Sequence, residues 1–232
     1  DSLLEKGGRL FYSGAGHAPH TTDPGLLKKV KKATGNRGLP FSIHVAETRD
    51  ERDFLQGRKG EWNRFLKNRG IETRHWPLGS KTPVRYLDHL GLLDPLTLCV
   101  HLIHADKKDM DILGQSGARV CICPRSNHNL HGRLPDVEAM LDKDLTIALG
   151  TDSLASCSSL SIFDEMAYIK KSFQRVDPKR ILTMATLNGA RALWLDHVAG
   201  TLDRGKESAF IYLNLEAGNE SRLIEKVTSN EF

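Results

Sequence analysis

The sequence predicts an α/β protein with parallel strands, and three observations carry the prediction. Five short apolar runs of strand character alternate with helical patterns along the 232 residues. Strands separated by helices pair in parallel through right-handed crossovers. Each run also ends in a polar turn that leads towards a helix, most clearly where Leu145–Leu149 runs through Gly150 into Thr151, Asp152 and Ser153. A composition of 39% hydrophobic and 27% charged residues suits a packed globular core and argues against disorder. An open doubly wound sheet and a β/α barrel both satisfy this pattern. The glycine fingerprint of dinucleotide folds and the P-loop pattern do not occur.

The first expected strand, Arg9–Gly16, delivers His17-Ala-Pro-His20 into a loop. Asp23 then caps a helix with Pro24 in its first turn, and Gly35-Asn36 ends it. Pro40–Glu47 is the second strand, followed by a helix capped by Thr48 or Asp50. Residues 56–82 form a helix plus an irregular excursion, the kind of segment that serves as a lid or pocket wall. Pro83–Gly91 places Val84, Leu87 and Leu90 at helical spacing. Pro95–His104 is the third strand, and Asp106 opens a helix ending near Gly117. Ala118–Pro124 is the fourth strand and runs into a loop carrying Arg125, Ser126, Asn127, His128 and His131. Pro135–Lys143 is a helix before the strand that ends at Asp152, and helices over Leu160–Phe173 and Pro178–Leu195 follow. Ser208–Leu215 reads as a final strand outside the alternation.

The charge pattern narrows the function. The net charge is +4, and its densest basic run, Lys28, Lys29, Lys31 and Lys32, fits the wet face of a helix rather than a nucleic-acid patch. Of the four cysteines, Cys99, Cys121 and Cys123 lie in strand-like runs, and no spacing suggests a zinc knuckle or a disulfide framework. That points to a reducing, cytoplasmic setting. No signal peptide is expected from this sequence, and no apolar run in it is long enough to span a membrane.

Four strand ends carry chemistry: His17, His44 with Glu47, His101, and Asp152. A parallel sheet brings such residues to one edge, where α/β enzymes build their sites. Imidazoles and carboxylates are the ligands and proton carriers of zinc and iron hydrolases. Taken singly, each has a plainer role: a lone His as a hydrogen-bonded structural residue, and Asp152, Ser153 or Ser156 as a helix cap. Their recurrence at successive strand ends favours a site.

His17-Ala-Pro-His20-Thr21, His44-Val-Ala-Glu47-Thr48, Val100-His101-Leu-Ile-His104, Cys123-Pro-Arg-Ser-Asn127 and Gly150-Thr-Asp152-Ser-Leu-Ala-Ser156 together resemble the amidohydrolase superfamily. The branch they resemble is the deaminases and chlorohydrolases, including adenosine-type, S-adenosylhomocysteine and aminodeoxyfutalosine deaminases. The resemblance implies a metal-dependent hydrolase barrel of the β/α type over residues 1–198. Residues 199–232 would return to a small β-sandwich and a tail, through Gly200-Thr-Leu-Asp-Arg-Gly-Lys206. It implies one divalent metal, zinc or alternatively iron, held by His44 and Asp152. Glu47 would be the proton shuttle, and His101 would hold the attacking water or the substrate, with His104 a weaker candidate. Asp152 would also orient the hydroxide. His17, Ser153, Arg125 and Asn127 would bind substrate, with Arg125, Ser126 and Asn127 alternatively buttressing the pocket.

The family's His-x-His pair of the first strand does not occur here, so the chain is expected to begin at about the fourth barrel strand and to carry part of the ligand set. Ile122 stands where some relatives have a His, with His128 or His131 as replacements if they are not simply loop residues in solvent. The function implied is hydrolytic deamination of an aminated, purine nucleoside-like heterocycle. The alternatives are triazine-type dechlorination, cyclic-amide hydrolysis, or an inactive barrel fragment acting as an assembly module. The expected partner is a small-molecule substrate, with no nucleic acid and no membrane, and with a homo-oligomer left open.

Overall fold

A computed structural model describes residues 13–216 and 218–232. Four strands, β1 (Phe41–Val45), β2 (Thr97–His101), β3 (Arg119–Ile122) and β4 (Ile147–Leu149), lie in chain order in one parallel sheet. Helix α1 (Pro24–Gly35) precedes them. Helices α2 (Arg49–Leu55), α3 (Glu61–Asn68) and α4 (Pro83–His89) link β1 to β2, and α5 (Lys107–Ser116) links β2 to β3. Helices α6 (Pro124–His131) and α7 (Val137–Asp142) link β3 to β4. After the sheet come α8 (Ile162–Ser172), α9 (Pro178–Ala185), α10 (Leu187–Ala192) and α11 (Glu220–Ser229). Among the described residues no helix is long and apolar enough to cross a membrane.

The local rules that placed these elements hold at their ends. Asp23, Thr48, Thr82, Asp106 and Ser161 each accept a backbone N–H in the first turn of the helix they precede. Gly117 stops α5 in the left-handed conformation, at φ 70°.

Side chains alternate across the sheet. Phe41, Ile43 and Val45 of β1, Val120 and Ile122 of β3, and Ile147 of β4 are buried in the main core with the helices. The opposite face carries Ser42, His44, Val100, Arg119 and Cys121, all half-buried, and a smaller cluster of Leu98, Ala148 and Ala192 with Trp194 against it. In a closed barrel that second face is the interior.

The expected first strand falls partly on residues 9–12, which lie outside the described residues. Ala15 bridges Ser42 in parallel, and the Gly16 N–H donates to the Ser42 carbonyl at 2.8 Å, so this segment lies along the outer edge of β1. A β-carbon on Gly16 would stand 2.6 Å from Phe41 Cζ and 2.8 Å from Leu27 Cδ2, and both of those side chains are fully buried. Gly16→Ala is expected to cost about 1–3 kcal/mol by overpacking. Urea denaturation measures this, and an unchanged midpoint would mean that the Phe41 ring yields freely.

Three expectations are corrected. The stretch after Pro124 is a helix, α6, rather than a loop; Pro124 stands in its first turn, and Gly132 ends it in the left-handed conformation. The single helix expected over Pro178–Leu195 is two, broken at Thr186 with φ −120° and ψ −91°. The break lets Asn188 Nδ2 donate to the Ile147 carbonyl at 2.9 Å, which draws α10 onto β4. Ser208–Leu215 joins no ladder among the described residues, and Phe210, Ile211 and Tyr212 are exposed, because a strand forms only against a neighbour. The tail contains a helix, α11, which packs on α8 and α9.

Candidate active site

Five of the eight described non-glycine residues with left-handed backbone gather at the carboxyl ends of the strands. His17, Ala46, His101, Leu102 and Asp152 all have positive φ, between 50° and 78°. Left-handed backbone is costly for residues with a β-carbon and persists where surrounding contacts enforce it, commonly at functional sites. Three of these residues are ones the sequence singled out. Asp152 does not cap α8; Ser161 does.

His44 sits on the inner face of β1, its ring 5.2 Å from that of His101 and 5.5 Å from that of His17. Its N–H donates to the His17 carbonyl at 2.7 Å. Burial lowers the His44 pKa and the neighbouring His101 adds to this, while Glu47 and Asp152 oppose it. His101 is 2% exposed. Its Nδ1–H donates to Asn127 Oδ1 at 2.8 Å, which turns Nε2 towards Glu47 Oε1 at 3.8 Å.

Asp152 accepts a hydrogen bond from Ser126 Oγ at 2.6 Å. Burial works to raise its carboxyl pKa, but the Ser126 bond and the nearby His101, Ser156 and His44 outweigh it, and the group is held below its ordinary value. It is a carboxylate at neutral pH.

Glu47 is positioned twice. His131 Nε2 lies 3.1 Å from its Oε1, and its own N–H donates to Glu51 Oε2 at 2.8 Å. Glu51 is fully buried and also takes the Ala46 N–H at 2.9 Å and the Thr48 N–H at 3.5 Å, closing the β1–α2 turn around one carboxyl. A second buried acid, Glu165 of α8, takes the Arg125 N–H at 3.0 Å and so fixes the first turn of α6. That turn supplies both Ser126 and Asn127.

The other expected residues separate. Arg125 reaches Ser158, Ser159 and Asp164 of the segment around α8, with Asp164 at 3.0 Å, so it takes the buttressing role. Ser153 is exposed and accepts the Ala155 N–H at 3.3 Å. His17 is exposed, its Nδ1 bonded to Thr21 Oγ1. His104 lies three residues past β2, its N–H on the Ala46 carbonyl at 2.8 Å; burial, with Arg133, Arg52 and Arg49 nearby, pushes its pKa down to about 4. His128 lies against Tyr168, with ring centroids 5.7 Å apart. His131 is no loop residue in solvent: α6 carries it to Glu47. Glu51, Glu165 and the role of His131 were missed. For Glu51 a signal existed, because Thr48-Arg-Asp-Glu51 is a capping box.

Two imidazoles and a carboxylate, with one imidazole fixed through its far nitrogen by Asn127, suit a divalent ion in kind. In number they are part of a set. Among the described residues no three His, Cys, Asp or Glu converge on one point, whereas a catalytic zinc takes three protein ligands and a water.

A parallel sheet with imidazoles and acids gathered at its carboxyl ends is the layout of β/α-barrel enzymes. The chain belongs to the amidohydrolase family, whose model matches residues 2–231. A 5-methylthioadenosine/S-adenosylhomocysteine deaminase of Moorella thermoacetica is 32% identical over 215 residues, which are 90% of this chain and 46% of that protein. One of Carboxydothermus hydrogenoformans is 32% identical over 219 residues, 91% of this chain and 46% of that protein. The chain thus spans about half the length of these curated relatives. Among solved structures, the Helicobacter pylori aminofutalosine deaminase matches with a TM-score of 0.82 at 23% identity, over 97% of this chain and 57% of that one. A Xanthomonas campestris adenosine deaminase with bound zinc matches with a TM-score of 0.72 at 24% identity, over 89% and 44%. At these identities the structures establish the fold, a partial barrel.

Proposed function

We propose that this chain forms part of a hydrolase that deaminates an aminated purine nucleoside-like compound, with His44 and Asp152 as two ligands of one divalent metal, zinc by preference. The observation that carries the reading is the convergence of His44, Glu47, His101 and Asp152 on one edge of the sheet. The names of relatives more than 30% identical support the same substrate class. When bound, a divalent ion in such a site lowers the pKa of water to about 7 and so supplies the nucleophile at neutral pH.

The remaining work falls to the side chains. Water adds to the carbon bearing the amine, and the C–N bond breaks as ammonia leaves. Glu47 takes the proton from the water and delivers it to the departing nitrogen. His131 and the Glu51 turn hold that carboxylate in place. His101, fixed by Asn127, directs Nε2 at the attacking water or the substrate. Asp152, held by Ser126, stays ionised. His17 contacts substrate from the neighbouring loop, and Ser153 and Asn127 border the same space.

Ammonia release from adenosine, 5-methylthioadenosine and S-adenosylhomocysteine tests the reading, on full-length protein whose metal content has been measured. Release from at least one is expected. None from any of the three, with metal bound, ends the reading.

A further inference from the structure

The loop after His17 carries a second imidazole for which the chemistry above has no use. His20 is tied to the excursion between β1 and β2. The Trp62 Nε1–H of α3 donates to the His20 carbonyl at 2.7 Å, and the two rings meet edge to face with centroids 4.9 Å apart. Trp62 is itself stacked on Phe65, at 5.0 Å and 23°. The backbone turns tightly here, with the Thr21 and Thr22 N–H groups both on the Ala18 carbonyl, at 3.1 and 3.2 Å.

His20 Nδ1 is buried and has no hydrogen-bond partner among the described residues. Orphaned buried N–H groups are rarer than under-satisfied acceptors, so the proton belongs on Nε2, and the ring presents one N–H donor. The ring also lies within the fields of His17, His44 and Glu47. Burial brings its pKa down to about 4, with His17 and His44 adding to the effect and Glu47 opposing it. At neutral pH the side chain is therefore an uncharged donor within the field of the candidate proton carrier.

We propose that His20 is a specificity-determining residue of this site: its imidazole donates a hydrogen bond to an uncharged acceptor atom of the nucleoside, and Trp62 holds it in position to do so. This rests on the deamination reading. It also gives the excursion over residues 56–82 a function, since α3 supplies the clamp. A neutral donor favours a ring nitrogen or a sugar oxygen over a charged group, because neither partner then loses the hydration of a charge.

The test is a calorimetric titration of adenosine into the zinc-loaded full-length protein carrying Glu47→Gln, which suppresses turnover, with His20 intact (called wild type below) or replaced. His20→Phe keeps a ring against Trp62 and removes the donor, and is expected to weaken binding about five- to tenfold, the range of one neutral hydrogen bond. His20→Gln keeps a donor and is expected to bind within about twofold of wild type on the same scale. 3′-Deoxyadenosine and 7-deazaadenosine identify the acceptor: the analogue lacking that atom should bind wild type and His20→Phe alike. Equal adenosine affinity of wild type and His20→Phe would reduce His20 to packing and overturn the proposal alone. A full-length protein with His20 intact that binds neither adenosine nor S-adenosylhomocysteine would end the deamination reading and this proposal with it. Should His20→Phe fail to fold, His20→Leu against His20→Gln makes the same comparison.

Discussion

Glu47→Gln is expected to slow ammonia release by about 10²–10⁴-fold, the usual contribution of a positioned acid–base group. The amide has the shape of the carboxyl, and its oxygen can still accept from His131, now 3.1 Å from Oε1. The backbone N–H of residue 47 keeps its bond to Glu51. What disappears is the capacity to take a proton from water and give it to the leaving nitrogen. The KM for adenosine should therefore stay within a few-fold while kcat falls. A steady-state ammonia assay separates the two. A kcat loss below tenfold would place proton transfer on another group, with His101 next in line at 3.8 Å from the same oxygen.

Glu51→Ala is expected to cost about 3–5 kcal/mol of stability, because it strands buried backbone N–H groups at about 1–3 kcal/mol each. The N–H groups of Ala46, Glu47 and Thr48 all converge on that carboxyl. Urea denaturation measures the loss, and a cost below 1 kcal/mol would mean that water replaces the carboxyl without penalty. The same group sets a pH dependence. Burial raises the Glu51 pKa from its ordinary 4.5 to about 8, and that of Glu165 to about 7. The folded chain keeps these protons at pH values where the unfolded chain has released them. Their stabilisation is full below pH 4.5 and is lost as pH rises through 7 and 8. His20 and His104, both pushed down to about 4 from 6.5, act only below their unfolded value, where their burial costs stability as the pH falls. Stability should thus decline between about pH 6.5 and 8, with a slope of up to about 1.4 kcal/mol per pH unit for each proton involved. Glu51→Gln should flatten that decline, and an unchanged slope would assign it to other groups.

The two acids at the centre of these experiments differ in how far the sequence exposes their roles. Glu47 could be singled out because it closes an apolar strand three residues after a His, and the resemblance then supplied a role. Glu51 is written in the sequence only as the last letter of a capping box. A box of that kind orients its Glu to the N-cap N–H, and the Thr48 N–H does donate to Glu51 Oε2, at 3.5 Å. That the same carboxyl also takes the Ala46 and Glu47 N–H groups depends on the left-handed turn at Ala46, which local pattern does not announce.

Alternating apolar runs, Asp and Thr caps, and Gly117 were enough to place the parallel strands and most helices. These features act over a few residues, and each has a direct local cause in hydrogen bonding or backbone sterics. The edge that would hold the chemistry was equally legible, since parallel strands bring all their carboxyl ends together. Long-range packing settled the rest. Pro124 and Gly132 bound helix α6 locally, but its first turn is fixed by Glu165, 40 residues downstream. Arg125 turned away to Ser158, Ser159 and Asp164 for the same reason. His131 reached Glu47 across 84 residues, and Trp62 reached His20 across 42. Such contacts are chosen by which surfaces meet after the sheet has formed, and no spacing within either segment encodes them.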